Sequence, residues 1–541
     1  MHDAVALSAP KSKPSARSLR MIRASIPALA ESSLVSGSAV LLVLSFPDFD
    51  LSFLAWFGLV PLILATSTTG KASKAFLLGL LWGSIFFYGT CWWLTYPMIH
   101  YAHIPAWRAY ALLLFPVLLV ALFPALFCLL LFRTKTHFGS TAILIAPLIW
   151  GSLEWVRYTI TGLAWNAIGY SQAFHPLLIQ TARWGGVYAV TFLVLVVNTS
   201  FAFAILRHAR RSLFAGAIVI LGAMLTILAS SYGLKPNCCD QSKPVATETL
   251  IIGVQPNVPM GDIDEITSRR LLEQHLKLSR QAVSSPLITS LSPRVIIWPE
   301  SPMNFSYSRD PNLQQVVADF ARRNHSSVLL NSLEPSAEGG EYNSAIVINQ
   351  EGQKVAQYDK IRLMPFGEYV PLPRWLPGAS SVRAIVGEFK PGSSYTLMPL
   401  GDLRAGVFIC IEAAHPSVAR AFTNEGADVL INISNDGYLG PTPVMRQHLA
   451  NAIFRAVENK RPLIRVTNAG ISAYIGSTGF VSDTTPGFQQ AVRTWTISKD
   501  AEVTTFYSRH GDVFVYACAL ISLGIVSATF IGRKAVSEAR P

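Results

Sequence analysis

The sequence predicts a two-part chain: a polytopic α-helical membrane domain followed by an α/β domain. Three observations carry that expectation. Hydrophobic residues fill 51% of the 541 positions and charged residues only 14%, against about 25% charged in an ordinary soluble domain. Charge-free runs near the length of a membrane span crowd residues 33–234. Beyond about residue 249 the apolar runs shorten to strand length and alternate with amphipathic segments.

Residues 1–32 form a basic segment. No apolar core precedes the Ala28-Leu-Ala30 triplet, so a cleaved signal is not expected, and the first span starts near Leu34. The plain runs are 76–98, 109–132, 184–206 and 212–234, with a further one at 513–532. Weaker runs are 34–46, cut short by Pro47; 53–69, interrupted by Pro61; and 141–155, ending in Glu154 and Arg157. About eight spans follow, seven within 33–234 and the last at 512–533.

The net charge of +12 is scattered between apolar runs. A nucleic-acid binder would gather it on one face, so that class is excluded. The charges read as topology signals. With a cytoplasmic N-terminus, the inner segments carry Lys11, Lys13, Arg17, Arg20 and Arg23, then Lys71 and Lys74, Arg133 and Lys135, and Arg207, Arg210 and Arg211. The tail at 534–541, with Arg533 beside it, is inside as well. The short outer loops hold little beyond Arg108, Arg183 and Arg157. This positive-inside bias puts 248–508 outside the cytoplasm. A transporter would need paired intramembrane charges, and beyond Glu154 and Arg157 few are present.

The polar, aromatic stretch 155–172 (Trp155, Arg157, Trp165, Asn166, Tyr170, Gln172) has two readings: an interfacial aromatic belt, or an entrance for lipid or substrate. Residues 235–247 read as a linker.

In the second half, strands are expected at 250–254, 295–298, 327–330, 345–349, 355–358, 405–409, 429–433 and 463–467, and helices at 267–283, 312–323, 415–424 and 445–458.

Of six cysteines, Cys91, Cys128 and Cys518 lie in apolar runs, and Cys238 and Cys239 are adjacent. No CxxC or Cys/His metal spacing appears, and the acyl-transfer chemistry set out below would need no metal or organic cofactor. Cys410 stands apart. It ends the apolar run Leu403-Arg-Ala-Gly-Val-Phe-Ile and precedes a helix, the layout of a nucleophile elbow, where cations and a helix N-terminus favour the thiolate. Two other strand ends carry charge: Val295-Ile-Ile-Trp-Pro-Glu300, and Tyr358-Asp-Lys360 leading into Met364-Pro-Phe-Gly-Glu368. Taken singly these read as a buried cysteine, a surface carboxylate and a solvated lysine. Together they suit acyl transfer: a nucleophile, a base and an oxyanion partner.

Glu300, Lys360 and Cys410, in this order and context, resemble the Glu-Lys-Cys triad of the nitrilase (carbon–nitrogen hydrolase) superfamily, which implies an αββα sandwich over 248–508. The run Lys360-Ile-Arg-Leu-Met-Pro-Phe-Gly-Glu368 is similar to that of bacterial apolipoprotein N-acyltransferases. So are Ile433-Ser-Asn-Asp436-Gly-Tyr-Leu-Gly440, Gln447-His448, and the stretch from Glu458 to Gly470. Ile411 and Tyr438 depart from the family, which usually has Tyr and Trp there. The resemblance implies an inner-membrane enzyme with an extracytoplasmic catalytic domain. It would take a fatty-acyl chain from a phospholipid onto Cys410 and pass it to the α-amine of a diacylglyceryl-cysteine at the N-terminus of an apolipoprotein. Glu368 is implied as an accessory carboxylate, and Glu412 as a support for the site.

Overall fold

A computed structural model describes residues 27–162, 164–207, 210–232, 248–261, 263–284, 293–370, 389–499 and 503–538. The expected linker at 235–247, with Cys238 and Cys239, lies outside the described residues, as do residues 1–26.

Helices α1 (Leu29–Leu44), α2 (Val60–Thr68), α3 (Ala72–Cys91), α4 (Thr95–His100), α5 (Ala106–Phe138), α6 (Ala146–Thr161), α7 (Ala182–Arg207) and α8 (Arg210–Ser231) build the first half. Among the described residues, five stretches are long and apolar enough to cross a membrane: Ala72–His100, Ala106–Phe138, Ala182–Arg207, Phe214–Ser231 and Val513–Phe530. These are the five plain runs of the sequence. The three weaker runs form shorter helices, of 16, 9 and 16 residues. The expectation of eight spans therefore meets five full-length helices and three short ones. Pro61 opens α2 rather than interrupting a longer helix, because its missing N–H is harmless in a first turn.

Close packing in this half depends on small residues. A Cβ on Gly79 would come within 2.4 Å of the Pro124 carbonyl oxygen, and one on Gly83 within 2.9 Å of Ala121 Cα. The two glycines let α3 and α5 approach backbone to backbone.

The second half contains two six-stranded sheets. The first runs β12-β1-β2-β3-β4-β5 and the second β11-β10-β9-β8-β7-β6. The strands are β1 (Glu248–Gln255), β2 (Arg294–Ile297), β3 (Ser326–Pro335), β4 (Glu341–Ile348), β5 (Lys354–Asp359), β6 (Met398–Leu400), β7 (Leu403–Ile409), β8 (Val429–Ser434), β9 (Leu463–Thr467), β10 (Ala473–Ile475), β11 (Val481–Ser482) and β12 (Ala491–Ser498). Strands β1–β3 are parallel neighbours, and so are β7–β9.

The period-2 side-chain alternation sorts the first sheet into two faces. Ile251, Val295, Ile297, Leu329, Ala345 and Val347 join the core shared with the second sheet. Ile252, Ile296, Val328, Leu330, Ile346 and Ile348 pack against α9 (Glu265–Val283) and α10 (Pro311–Asn324). Helices α11 (Pro416–Asn424) and α12 (Val444–Asn459) contribute Val418, Phe422, Leu449 and Ile453 to the shared core. The layers are αββα. Two further helices follow: the short α13 (Phe506–His510) and the long apolar α14 (Val513–Glu538).

All eight expected strands and four expected helices are present. Four strands were not expected. β6, β10 and β11 span three residues or fewer. β12 is a sheet-edge strand with half-exposed Arg493 and exposed Thr494 and Thr496, so its apolar signal is weak.

Candidate active site

The buried strand β7 delivers Cys410 at its carboxyl end. The residue turns sharply, with φ +51°, a left-handed conformation that costs a non-glycine residue about 1–3 kcal/mol and persists only where its surroundings hold it. A short 3-10 turn, Cys410–Ala414, follows. Helix α11 starts only at Pro416, so the expected helix N-terminus does not sit directly under the thiol.

Glu412 straps this turn to the end of a strand in the other sheet. Its Oε2 accepts the Ile409 N–H at 2.8 Å. Its Oε1 accepts the Tyr358 hydroxyl at 2.8 Å and the N–H groups of Ile361 and Arg362 at 2.9 and 3.0 Å. The end of β7 is thereby tied to the end of β5, the strand that delivers Lys360. Burial pushes the Glu412 carboxyl up, against those donors.

Glu300, Lys360 and Glu368 form one cluster. Lys360 Nζ donates to Glu368 Oε1 at 2.9 Å and lies 3.5 Å from Glu300 Oε1. Asn343 of β4 gives one amide bond to each carboxylate, at 2.9 Å to Glu300 and 2.7 Å to Glu368. Asn331 fixes the orientation of that amide by donating to Asn343 Oδ1 at 2.7 Å. Glu300 Oε2 accepts the Asn435 N–H at 3.2 Å, and Glu368 Oε2 the Met364 N–H at 2.7 Å. Asn343 was not legible as a site residue, since a lone Asn in an apolar strand carries no motif, and Asn435 lay in a quoted motif without a role assigned to it.

Electrostatics decide the resting protonation. Burial alone would lower the Lys360 ammonium, but Glu300 and Glu368 outweigh it and hold it above its ordinary value. It stays charged. Burial pushes the Cys410 thiol up, the Glu300 carboxylate adds to this, and Lys360 opposes it without prevailing. The resting group is therefore a thiol. This corrects the expectation of a standing thiolate: the neighbouring carboxylate and the lost hydration outweigh the cation.

Behind Cys410 lies a second, sealed cluster. His448 Nε2 is 2.9 Å from the Cys410 carbonyl oxygen, and its Nδ1 is 2.9 Å from Asp436 Oδ1. Arg465 Nη2 donates to Asp436 Oδ2 at 2.9 Å, and its Nη1 bonds Asn432 Oδ1. Burial would raise the Asp436 carboxyl, but Arg465 and His448 hold it down at about 2. Burial and Arg465 push His448 below its ordinary value. A sequence signal for this cluster existed: Asn432 and Arg465 are polar residues inside apolar strands, and they are register partners in β8 and β9.

At the mouth of the site, the two halves share an apolar cluster. Ile411, Ala414 and Val444 meet Trp93 and Trp165, with Cys91 and Met364 at its edge. Gln447 Oε1 accepts both indole N–H groups, at 3.1 Å from Trp93 and 2.9 Å from Trp165. Its amide nitrogen donates to the Thr90 carbonyl at 3.0 Å. Tyr438 stacks on Tyr101, with centroids 5.3 Å apart.

The stretch around Trp165 to Gln172 is buried, which removes the exposed-belt reading. Glu154 accepts from Trp150 and Thr191 side chains and the Ile168 N–H, each at 2.9 Å. Arg157 donates to the Trp165 carbonyl at 2.7 Å. These two charges anchor the stretch. A small cavity of about 20 Å³, lined by Phe86, Phe87, Phe127, Leu153 and Asn166 among others, lies against them. Among the described residues, no group of three or more His, Cys, Asp or Glu could hold a metal ion.

An αββα sandwich with Cys, Lys and Glu at its strand ends defines a carbon–nitrogen hydrolase type of domain, here built onto a helical membrane half. Family comparison agrees: residues 267–504 match the carbon-nitrogen hydrolase model, and residues 38–200 match the apolipoprotein N-acyltransferase N-terminal domain. The chain is 32% identical over 506 residues to an apolipoprotein N-acyltransferase of Geobacter metallireducens, covering 92% of this chain and 95% of that one. A Rhizobium etli protein of the same name is 31% identical over 468 residues, with 83% and 86% covered. An amidase of known structure from Nesterenkonia aligns with 51% of this chain and 97% of its own, at 15% identity and a TM-score of 0.36. The chain belongs to the apolipoprotein N-acyltransferase family, and it is an N-acyltransferase.

Proposed function

We propose that this enzyme moves a fatty-acyl chain from a phospholipid to the α-amine of a diacylglyceryl-cysteine at an apolipoprotein N-terminus, through a thioester on Cys410. In the first half-reaction, Cys410 Sγ bonds to the ester carbonyl carbon. Glu300 takes the thiol proton as the bond forms. The carbonyl electrons move onto oxygen, which Lys360 and a backbone N–H stabilise. The ester C–O bond then breaks, and Glu300 returns the proton to the leaving lysophospholipid alkoxide. In the second half-reaction the amine attacks the thioester, gives its proton to Glu300, and displaces the Cys410 thiolate, which recovers that proton. Glu368 holds Lys360 and Asn343 in line. Glu412 holds the nucleophile turn.

The observation that carries this reading is the joint placement of Lys360, Glu300 and Glu368 around Cys410, beside an apolar cluster made by both halves. A lipid acyl chain needs such a wall, and the dry surroundings favour aminolysis over hydrolysis. A membrane-tethered amidase for small amides has no use for it. The charge bias of the loops supports a catalytic domain on the outer face of the inner membrane.

Incubating purified enzyme with phospholipid and recording its intact mass tests the reading. The expected result is one added fatty-acyl mass on Cys410, absent in Cys410→Ala. Active enzyme without an adduct, or an adduct that survives Cys410→Ala, would overturn it.

A further inference from the structure

We propose that His448 is a positioning residue for the oxyanion site: it sets the plane of the peptide that follows Cys410, and with it the aim of the Ile411 N–H. This rests on the acyl-transfer reading of Cys410.

The peptide between Cys410 and Ile411 is a rigid, trans plane, so its N–H points opposite to its carbonyl. The Cys410 φ of +51° is strained and needs an external hold. That hold acts on the carbonyl oxygen. His448 Nε2 lies 2.9 Å from it, and Asn432 Nδ2 lies 3.4 Å from it. A carbonyl oxygen only accepts, so Nε2 carries a proton and donates.

Arg465 orients both donors. Its guanidinium bonds Asn432 Oδ1, which leaves the Asn432 amide nitrogen facing Cys410. It also bonds Asp436, and its Nη2 lies 3.1 Å from His448 Nδ1. Arg465, Asp436 and His448 are all buried, so this scaffold is set before any substrate arrives. The same loop fixes the base, since the Asn435 N–H bonds Glu300. Pulling the carbonyl back toward His448 turns the Ile411 N–H to the opposite side, where the attacked carbonyl oxygen gathers charge. Neither His448 nor Arg465 touches substrate in this account.

The test separates two reactions of the same thiol. Acylation by a p-nitrophenyl ester builds an oxyanion. Alkylation by iodoacetamide displaces iodide and builds none. Both are followed on full-length enzyme in detergent by intact mass, with His448→Leu and His448→Gln. The Gln amide nitrogen can stand where Nε2 stands and donate to the same carbonyl. Expected for His448→Leu is acylation slower by about 10–100-fold, as a misaimed oxyanion donor gives, with alkylation within about threefold of wild type and an unchanged KM for the ester. His448→Gln should recover most of the acylation rate. The proposal is overturned if acylation is unchanged in His448→Leu, if both reactions fall together, or if His448→Gln is as slow as His448→Leu. Failure of the phospholipid donor reading would show separately, as wild type acylated by the p-nitrophenyl ester but not by phospholipid.

Discussion

Two buried charge clusters flank Cys410, and they are built differently. The front cluster pairs Lys360 with Glu300 and Glu368, whose side chains keep 16% and 10% of their surface open. Glu300 Oε2 accepts a single backbone N–H and has a lone pair left for a proton. The rear cluster of Arg465, Asp436 and His448 is closed, with Asp436 only 1% open, accepting from Arg465 and lying against His448. Spare capacity suits a group that must exchange protons. The filled acceptors of Asp436 suit a carboxylate that must not move, although Arg465 Nε beside it has no hydrogen-bond partner among the described residues. The difference teaches that burial of charge alone does not mark a catalytic group; unused hydrogen-bonding capacity beside a reactive atom does.

If that division holds, substitutions in front should stop chemistry with little change in folding, and substitutions behind should cost stability and slow only the acylation step, through the aim of the Ile411 N–H. Cys410→Ala should abolish transfer, with a loss of about 10⁴-fold or more, read as product formed from phospholipid and acceptor peptide. Glu300→Gln should slow adduct formation by about 10²–10⁴-fold, with a melting temperature close to wild type. A fully active Glu300→Gln would break the comparison. Asp436→Asn removes the charge facing Arg465 and should cost about 3–5 kcal/mol of stability, measured by thermal unfolding in detergent, with a smaller loss of rate per folded molecule. Gln447→Leu leaves the Trp165 indole N–H unpaired, while Trp93 keeps the Thr90 carbonyl, and should cost about 1–3 kcal/mol, with the two halves more readily separated by limited proteolysis.

A last effect, felt only below about pH 6.5, tests a site remote from Cys410. His275 is buried against Trp298 and Phe305. Burial holds its pKa down at about 4, against the Leu271 carbonyl that favours the charged form. The unfolded chain takes up this proton near pH 6.5 and the folded chain only near 4. Stability from this residue is thus intact above about 6.5 and falls as pH drops toward 4, by about 3 kcal/mol in total. His275→Phe should flatten that part of the pH–stability profile.

Much of this was legible in the sequence, for identifiable reasons. The helices and strands of the second half were readable because their apolar periods are clean, as in Val295–Ile297 and Val429–Ser434. Glu300 and Cys410 were readable because they follow the ends of buried strands, and Lys360 because it follows β5 and opens a Pro/Gly loop. The short helices of the first half were harder: their length depends on how they pack, not on composition. Asp436, His448 and Arg465 lay within quoted motifs, but their meeting in one cluster was not legible, because they come from three elements and only the register of β8 and β9 brings Asn432 and Arg465 together. The thiol's resting state was misjudged because desolvation and the Glu300 charge depend on three-dimensional neighbours.

The most direct measurement of the central account is a chase. Enzyme is loaded from a phospholipid with an isotope-labelled acyl chain, freed of lipid, and mixed with a diacylglyceryl-cysteine peptide. The account predicts that the label leaves Cys410 and appears on the peptide α-amine at the rate of turnover. Label that stays on Cys410, or that leaves as free fatty acid with no labelled peptide, would contradict it.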